Sequence, residues 1–305
     1  MYDIKQAIKK NFWGQYMISC FHCVESKIQP CLFPDIIAVK RFYRKCTGKV
    51  LNLEEPHSFA EKLNWYKLNG KIPLMQKCAD KVSVRDYVAD CGYADILNEV
   101  YGVYDKVSQI QINSLPNQFV MKAAHGSHMG YIVKDKSHFN WIQAKLMMRT
   151  WLHQNIYWSG REWVYKDMPK RIIIEKYLED DEEEIKDYKF FCFNGKPTYL
   201  QYDCGRYSRE HIRNYYDMEL NKLDIEDRST VSRNITLPVD RIVFSQMVNI
   251  ARKLSEPFQF VRVDLYFVNK KVYFGELTFF DGGGYSGFIN ESDDIMFGEA
   301  WKLVK

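Results

Sequence analysis

An α+β fold with at least two β-containing lobes is predicted by three features of this 305-residue sequence. The first 75 residues have a helical texture, short apolar runs bounded by turn residues begin at about Ile110, and strand-like runs pair up around Asn194-Gly195 and between Phe260 and Phe279. A chain of this length exceeds one ordinary core and suggests two or three coupled lobes. No internal repeat or low-complexity segment interrupts it.

In order along the chain, residues 1–75 form a helical N-terminal region, with basic and aromatic residues mixed from Ile4 to Phe21, an amphipathic run from Ile36 to Tyr43, and Pro30, Pro34 and Pro56 as punctuation. Lys9, Lys10, Phe12, Trp13 and Tyr16 would suit a helix lying on a membrane surface. The simpler reading is an aromatic face packed on the rest of the protein. Residues 76–178 form a second region. In it Gln118 to Ala124 is a strand bounded by Pro116-Asn117 and a glycine-bearing turn, a helix spans Asn140 to Asn155, and Arg171 to Leu178 is a second buried-type strand. Residues 179–305 open on six consecutive acids, Glu179 to Glu184, read as a solvated loop. Asp187 to Phe193 and Lys196 to Tyr202 flank Asn194-Gly195, a strong hairpin signal. A helix from Asp240 to Ser255 and strands Phe260 to Val268 and Val272 to Phe279 complete this region.

Composition narrows the function classes. An apolar share of 46% can fill such cores, and a net charge of +4 over 43 basic and 39 acidic residues is too mild for a nucleic-acid-binding domain. The eight cysteines show no pair of CxxC spacings, and no export leader is evident, so a cytoplasmic location is expected, with the inner face of the membrane as the alternative. No run of apolar residues is long enough to span a bilayer.

The last hairpin carries the most chemistry. If Asp264 faces Glu276, Val268 falls opposite Val272, Asn269 to Lys271 form a three-residue loop, and Arg262, Asp264, Glu276 and Thr278 share one face. Directly opposed carboxylates repel, so a cation should sit between them. Oxygen-only ligands suit Mg²⁺; a salt-bridge cluster of Arg262, the two acids and a lysine is the other reading. Upstream, a strand ending in Lys122 runs into a loop with Gly126, Ser127 and Gly130, whose N–H groups could cradle phosphate oxygens. His125 and His128 lack partners at ligand spacing and read as loop residues able to touch phosphate. Asp80-Lys81 alone reads as a helix cap. Asp187 and Lys189 share a strand face, and Arg206, Arg209, His211 and Arg213 form a basic patch suited to an anionic substrate. Gly282 and Gly283, in the turn Phe279 to Gly284, would let backbone N–H groups approach a reacting group.

The order of these pieces resembles the ATP-grasp superfamily, and the wording is closest to its teichuronopeptide-biosynthesis branch, the TupA-like proteins encoded among polysaccharide genes. The resemblance covers roughly Leu51 to Tyr285. It is carried by Leu51-Asn-Leu-Glu-Glu-Pro-His-Ser-Phe-Ala-Glu-Lys-Leu-Asn-Trp65, Ala79-Asp-Lys81, Asp187-Tyr-Lys-Phe-Phe-Cys-Phe-Asn-Gly-Lys-Pro197 and Phe274-Gly-Glu-Leu-Thr-Phe279. It implies an ATP-grasp fold of two α+β lobes sandwiching ATP, with residues 76–178 the lid subdomain and 179–305 the core that carries the metal site. Lys81 and Lys122 would contact the α- and β-phosphates, and the loop His125, Gly126, Ser127, His128 to Gly130 would close over the β- and γ-phosphates. Glu175, Lys176, Tyr177 and Leu178 would form the adenine hinge, with Asp187 also at the nucleotide. Asp264 and Glu276 would hold Mg²⁺, with Thr278 where many members have Asn. Arg262 and Lys189 would face the γ-phosphate and the acyl phosphate made from it, with Arg206, Arg213, Gly282 and Gly283 toward substrate. The N-terminal region departs from the pattern, being short and helical where many relatives carry a nucleotide-fold-like domain.

The activity so implied is an ATP-dependent carboxylate–amine ligase, forming an amide through an acyl phosphate on a uronic-acid carboxylate in surface polysaccharide synthesis. Its partners would be an acidic sugar or glycan precursor and an amine or amino acid. The alternatives are an ATP-grasp kinase and a nucleotide-binding interaction protein without turnover.

Overall fold

A computed structural model describes residues 11–28, 33–180, 185–205, 211–228, 230–233, 235, 237–285 and 288–305. In chain order its principal elements are helices α1 (Phe12–Ile28), α2 (Asp35–Thr47), α3 (Phe59–Asn69), α4 (Pro73–Ala79) and α5 (Val84–Asp90), then strands β1 (Val100–Tyr104), β2 (Phe119–Ala123) and β3 (Gly130–Val133). Helix α6 (Trp141–His153) and strands β4 (Ile172–Lys176), β5 (Lys186–Phe193), β6 (Lys196–Cys204), β7 (Ile212–Tyr216) and β8 (Lys222–Leu223) follow. Helix α7 (Arg241–Ser255), β9 (Phe260–Val268), β10 (Lys271–Thr278) and α8 (Glu291–Glu299) close the chain. They divide into two compact units, one of Met1–Asp35, Asp80–Val82 and Asn98–Tyr177, the other of Ile36–Ala79, Ser83–Leu97 and Leu178–Lys305.

The first unit is built on a four-stranded antiparallel sheet in the order β1-β4-β2-β3. Alternate side chains of β2 and β4, Phe119, Met121, Ile172 and Ile174, point into one core with Met147, Met148 and Trp151 of α6. Asn140 caps α6 by accepting from the Gln143 N–H at 3.1 Å. Helix α1 lies against α6. The Ser19 and Thr150 hydroxyls are 2.7 Å apart, Gln154 Nε2 donates to the Ser19 carbonyl at 3.0 Å, and Cys23 Sγ donates to the Thr150 carbonyl at 3.3 Å. Phe12 and Tyr16 pack on the core from α1, as a packed aromatic face requires. Trp13 does not: it stands exposed with Met17, Phe21, Val24 and Ile28. Lys9 and Lys10 lie outside the described residues.

The second unit carries a six-stranded antiparallel sheet in the order β10-β9-β5-β6-β7-β8. One face is covered by α7, capped by Asp240, which accepts from the N–H groups of Ile242 and Val243 at 2.9 and 2.8 Å. Phe190 of β5 meets Phe244 of α7 there, with ring centroids 6.0 Å apart. Toward one end of the other face, Phe59 of α3 and Phe297 of α8 pack with Phe191, Phe193, Phe260 and Trp301, the closest of the Phe59 contacts being 5.0 Å to Phe260. Ser58 and Glu61 form a capping box at the start of α3. The remainder of that face is charged.

The β9–β10 hairpin corrects one expectation in detail. Lys271 pairs with Val268 and Val272 with Phe267, so the connection is the two-residue turn Asn269-Lys270, both left-handed at φ 47° and 64°, instead of a three-residue loop. The pairing is thereby displaced by one residue, which would turn the acids to opposite faces. A bulge at Gly275 takes up the displacement, and Glu276 again opposes Asp264 while Thr278 opposes Arg262. Only glycine fits the bulge: a Cβ there would lie 2.9 Å from the Asp264 carbonyl oxygen.

Candidate active site

On the charged face of the second unit, Arg262 is the centre of one cluster. Its Nε and Nη2 donate to the two oxygens of Asp264 at 2.7 and 2.6 Å, its Nη1 donates to Asp281, and Nη2 reaches the Thr278 hydroxyl at 3.2 Å and Glu276 Oε1 at 3.7 Å. Asp264 is buried, and the loss of water pushes its carboxyl up to about 6 against the opposing pull of Arg262. Burial alone would make the guanidinium easier to deprotonate, but Asp264 and Asp281 hold it firmly charged.

One strand over, Lys189 of β5 stands beside Asp264 in register. Its ammonium donates to Asp203 of β6 and lies 3.5 Å from Asp187. Asp203 also accepts from Gln201 Nε2 at 2.8 Å and Arg213 Nε at 2.7 Å, and His211 Nε2 is 3.3 Å away. Burial pushes the Asp203 carboxyl up, yet Lys189 and Arg213 together hold it well below the usual carboxylate range. Arg213 has its other branch on Asp227, at 2.8 Å. The structure thus brings Arg262, Asp264, Glu276, Thr278, Asp187, Lys189 and Arg213 onto one sheet face, and adds Asp203, Asp227 and Asp281, which sequence reasoning missed. Arg206 and Arg209 lie outside the described residues.

The turn after β10 is held from α3. Gly282, Gly283 and Gly284 all have left-handed φ, 54°, 68° and 74°, which is why three glycines stand there. Lys67 donates to the Gly283 carbonyl, and Asn64 Nδ2 donates to the Gly284 carbonyl at 2.7 Å. Neither Asn64 nor Lys67 was singled out from sequence. The only signal was that Asn64 belongs to the run ending in Trp65.

In the first unit, Lys122 Nζ donates to Glu175 Oε2 across β2 and β4 at 2.8 Å. Lys81 Nζ donates to the Gly126 carbonyl at 2.6 Å and its backbone N–H to the Ala124 carbonyl at 3.2 Å, while Asp80 accepts from Arg171 Nη2 at 2.6 Å. These bonds tie the segment 80–82 to the loop after β2. In that loop Ser127, His128 and Gly130 are exposed, whereas His125 and Gly126 are buried. The His125 ring is within hydrogen-bonding distance of the Trp151 carbonyl, 2.9 Å from Nε2, and burial lowers its proton affinity. At the end of β4, Lys176 spends its backbone N–H on the Glu99 carbonyl at 2.9 Å and its own carbonyl on Asn98 Nδ2 at 2.8 Å. The Tyr177 ring lies beneath Lys134, 5.8 Å away, and Leu178 is half-buried.

Whether the acids suit magnesium can be judged from their surroundings. Among the described residues, the carboxylates of Asp187, Asp203, Asp227, Asp264, Glu276 and Asp281 meet the fixed cations Lys189, Arg213 and Arg262. Among the described residues no group of three or more His, Cys, Asp or Glu is arranged as a metal cage. Mg²⁺ needs none, since one or two carboxylates suffice when substrate and water complete its shell. Arg262 uses one lone pair on each Asp264 oxygen and leaves the others. The all-oxygen donor set fits a hard divalent cation.

Residues 61–302 match the family described as TupA-like ATPgrasp. Among solved structures the chain is similar to D-alanine–D-alanine ligase from Helicobacter pylori at 14% identity and TM-score 0.41, over 80% of this chain and 70% of that one. It is also similar to D-alanine–D-alanine ligase from Bacillus anthracis at 16% and 0.39, over 72% and 58%, and to L-amino acid ligase from Bacillus licheniformis at 11% and 0.42, over 74% and 47%. This chain therefore spans less than two thirds of the latter two. No curated protein sequence matches it.

Proposed function

The chain belongs to the TupA-like ATP-grasp family, and from that premise we propose that it is an ATP- and magnesium-dependent ligase that joins a carboxylate to an amine. The single observation that carries the reading is the charged face on which Arg262, Asp264 and Glu276 stand next to Lys189. Phosphoryl transfer needs positioning and neutralisation more than a dedicated nucleophile, and this face offers fixed cations beside hard oxygen donors.

In this reading Asp264 and Glu276, with Thr278 beside them, would hold Mg²⁺, which when bound neutralises phosphate oxygens. Arg262 and Lys189 orient the γ-phosphoryl group and the attacking carboxylate. A carboxylate oxygen attacks the γ-phosphorus as the bond to ADP breaks, giving an acyl phosphate. The amine then attacks the acyl carbon, loses its proton and expels phosphate, leaving an amide. Asp203 fixes the position of the Lys189 ammonium, and Arg213, already committed to Asp203 and Asp227, steadies that pair. Lys81, Lys122, Asp187, the exposed loop residues Ser127, His128 and Gly130, and the segment Glu175 to Leu178 are assigned to the nucleotide. The backbone of Lys176 is already engaged, which leaves Tyr177 and Leu178 for the adenine edge. His125 and Gly126, both buried, support that loop from beneath. Arg206 and the Gly282-Gly283 turn are assigned to the acceptor.

The positive residues favour an anionic acceptor, and the branch resemblance points to the carboxylate of a uronic acid in a surface-polysaccharide precursor, with an amino acid or other amine as the second substrate. Hydroxylamine tests the reaction type. With the right sugar acid, ATP and Mg²⁺ it should trap the acyl phosphate as a hydroxamate, and the natural amine should give an amide. A hydroxylamine-resistant phosphoester formed without amine would replace the ligase by a kinase.

A further inference from the structure

Helix α1 presents an apolar stripe that the unit it belongs to does not cover. Trp13, Met17, Phe21, Val24 and Ile28 recur at helical spacing along one side and are 63%, 68%, 65%, 55% and 53% exposed. The opposite side is fixed to α6 by the Ser19, Cys23 and Gln154 hydrogen bonds and by Phe12 and Tyr16. The stripe is therefore held in place by its own unit and requires no partner for the helix to fold.

We infer that this stripe docks α1 flat on an anionic lipid bilayer. Two observations choose lipid over a second copy of the chain. The first is charge. From Asn11 to Val24 there is no Asp, Glu, Lys or Arg, so the stripe from Trp13 to Val24 lacks the flanking charge pairs that set register and partner in a helix–helix seam; Glu25 and Lys27 occur only at its last turn. In sequence, Lys5, Lys9 and Lys10 precede it against the single Asp3, and the stripe begins at a tryptophan, the composition of an interfacial helix. The second is area. Five side chains so exposed offer on the order of 600 Å², less than the roughly 800 Å² each partner contributes to a stable interface. A bilayer needs no such complementary area, because each apolar side chain enters the headgroup boundary independently. Among the described residues no helix is long and apolar enough to cross a membrane, so the helix would lie in the interface and not span it. This docking is independent of the ligase reading.

The test is co-sedimentation of the full chain with two kinds of vesicle, phosphatidylcholine alone and phosphatidylcholine mixed with phosphatidylglycerol, with size-exclusion light scattering in parallel. Binding should be about tenfold stronger to the anionic vesicles, and lost by about tenfold in the Trp13→Glu/Phe21→Glu variant. Because both residues are exposed, that variant should keep the parent's unfolding midpoint and ATP turnover. A Lys9→Glu/Lys10→Glu variant should weaken only the preference for anionic lipid. The proposal is overturned if neither vesicle binds the parent, if the double apolar variant binds equally well, or if the parent forms a dimer in solution that the same variant abolishes.

Discussion

Glu276 and Asp264 oppose each other across β10 and β9 but stand in different surroundings, and the difference separates function from fold. The Glu276 side chain is 40% exposed, with the Thr278 hydroxyl 3.3 Å away, while Asp264 is buried under two bonds from Arg262. Glu276→Gln is therefore expected to abolish turnover while leaving the unfolding midpoint near that of the parent. Asp264→Asn should lower both turnover and stability. Undiminished ATP turnover in purified Glu276→Gln would remove this residue from the metal site. Asp203 is a harsher case. Replacing it by Asn leaves buried Lys189 and half-buried Arg213 without their shared anion, and breaking such a pair costs about 3–5 kcal/mol. Denaturant unfolding of Asp203→Asn should show a loss of that size, and a loss under about 1 kcal/mol would mean that other carboxylates take over. The contrast also explains what could be read in advance. Arg262 with Asp264, and Glu276 with Thr278, follow from strand alternation, a local property, but the two pairs share a face only because the Gly275 bulge offsets the two-residue turn. Asp203 acquires meaning only through the β5–β6 register, and Asp227 only through a salt bridge to a strand that no periodicity announces.

At the scale of elements, runs with strong local signals, β2, β4, β5, β6, β9, β10, α6 and α7, are found where turn residues and apolar periods place them. Strands β1, β3 and β7 are not evident beforehand. Strand β3 is four residues long and begins at a glycine, β1 has a glycine at its centre, and β7 carries Arg213 and Asn214 where a strand would show apolar alternation. Their pairing is decided by the neighbours they meet. The loop between β2 and β3 shows how an element can be partly fixed and partly free to respond. Its root is held by the Ala123 N–H on the Met129 carbonyl, at 2.9 Å, and by Lys81 on Gly126, whereas Ser127 and His128 are exposed. A non-hydrolysable ATP analogue with Mg²⁺ is expected to slow amide exchange at residues 127–130 while leaving the β2 amides unchanged. Equal exchange across 125–131 with and without the analogue would dissociate this loop from the nucleotide.

For the whole molecule, the legible part was the order of pieces: a lysine before a glycine loop, a buried-type strand bearing Glu175, and a closing hairpin with paired acids. The division into two units that draw on interleaved stretches of chain was not, because it depends on which segments pack together. That division makes acid response a further test. Buried His125 has its proton affinity lowered by burial, so as pH falls below the ordinary imidazole value of 6.5 the unfolded chain takes up a proton that the folded first unit resists. Stability of this unit is therefore full above 6.5 and declines below it, by up to about 1.4 kcal/mol per pH unit until the depressed folded value is passed. Asp203 works in the second unit with the same sign but a lower window. Its carboxyl is held below the usual 3.8, so its contribution is present above that value and is lost only as pH falls further. Hydrogen exchange of the ligand-free protein should then show amides of β2, β4 and α6 beginning to open as pH falls below about 6.5, while those of β5 and β6 stay protected until the carboxylate range. His125→Asn should flatten the upper transition, at some cost in stability at pH 7.5, and leave the lower one in place. Simultaneous opening of both sets of strands near pH 4 would show that His125 does not govern the first unit.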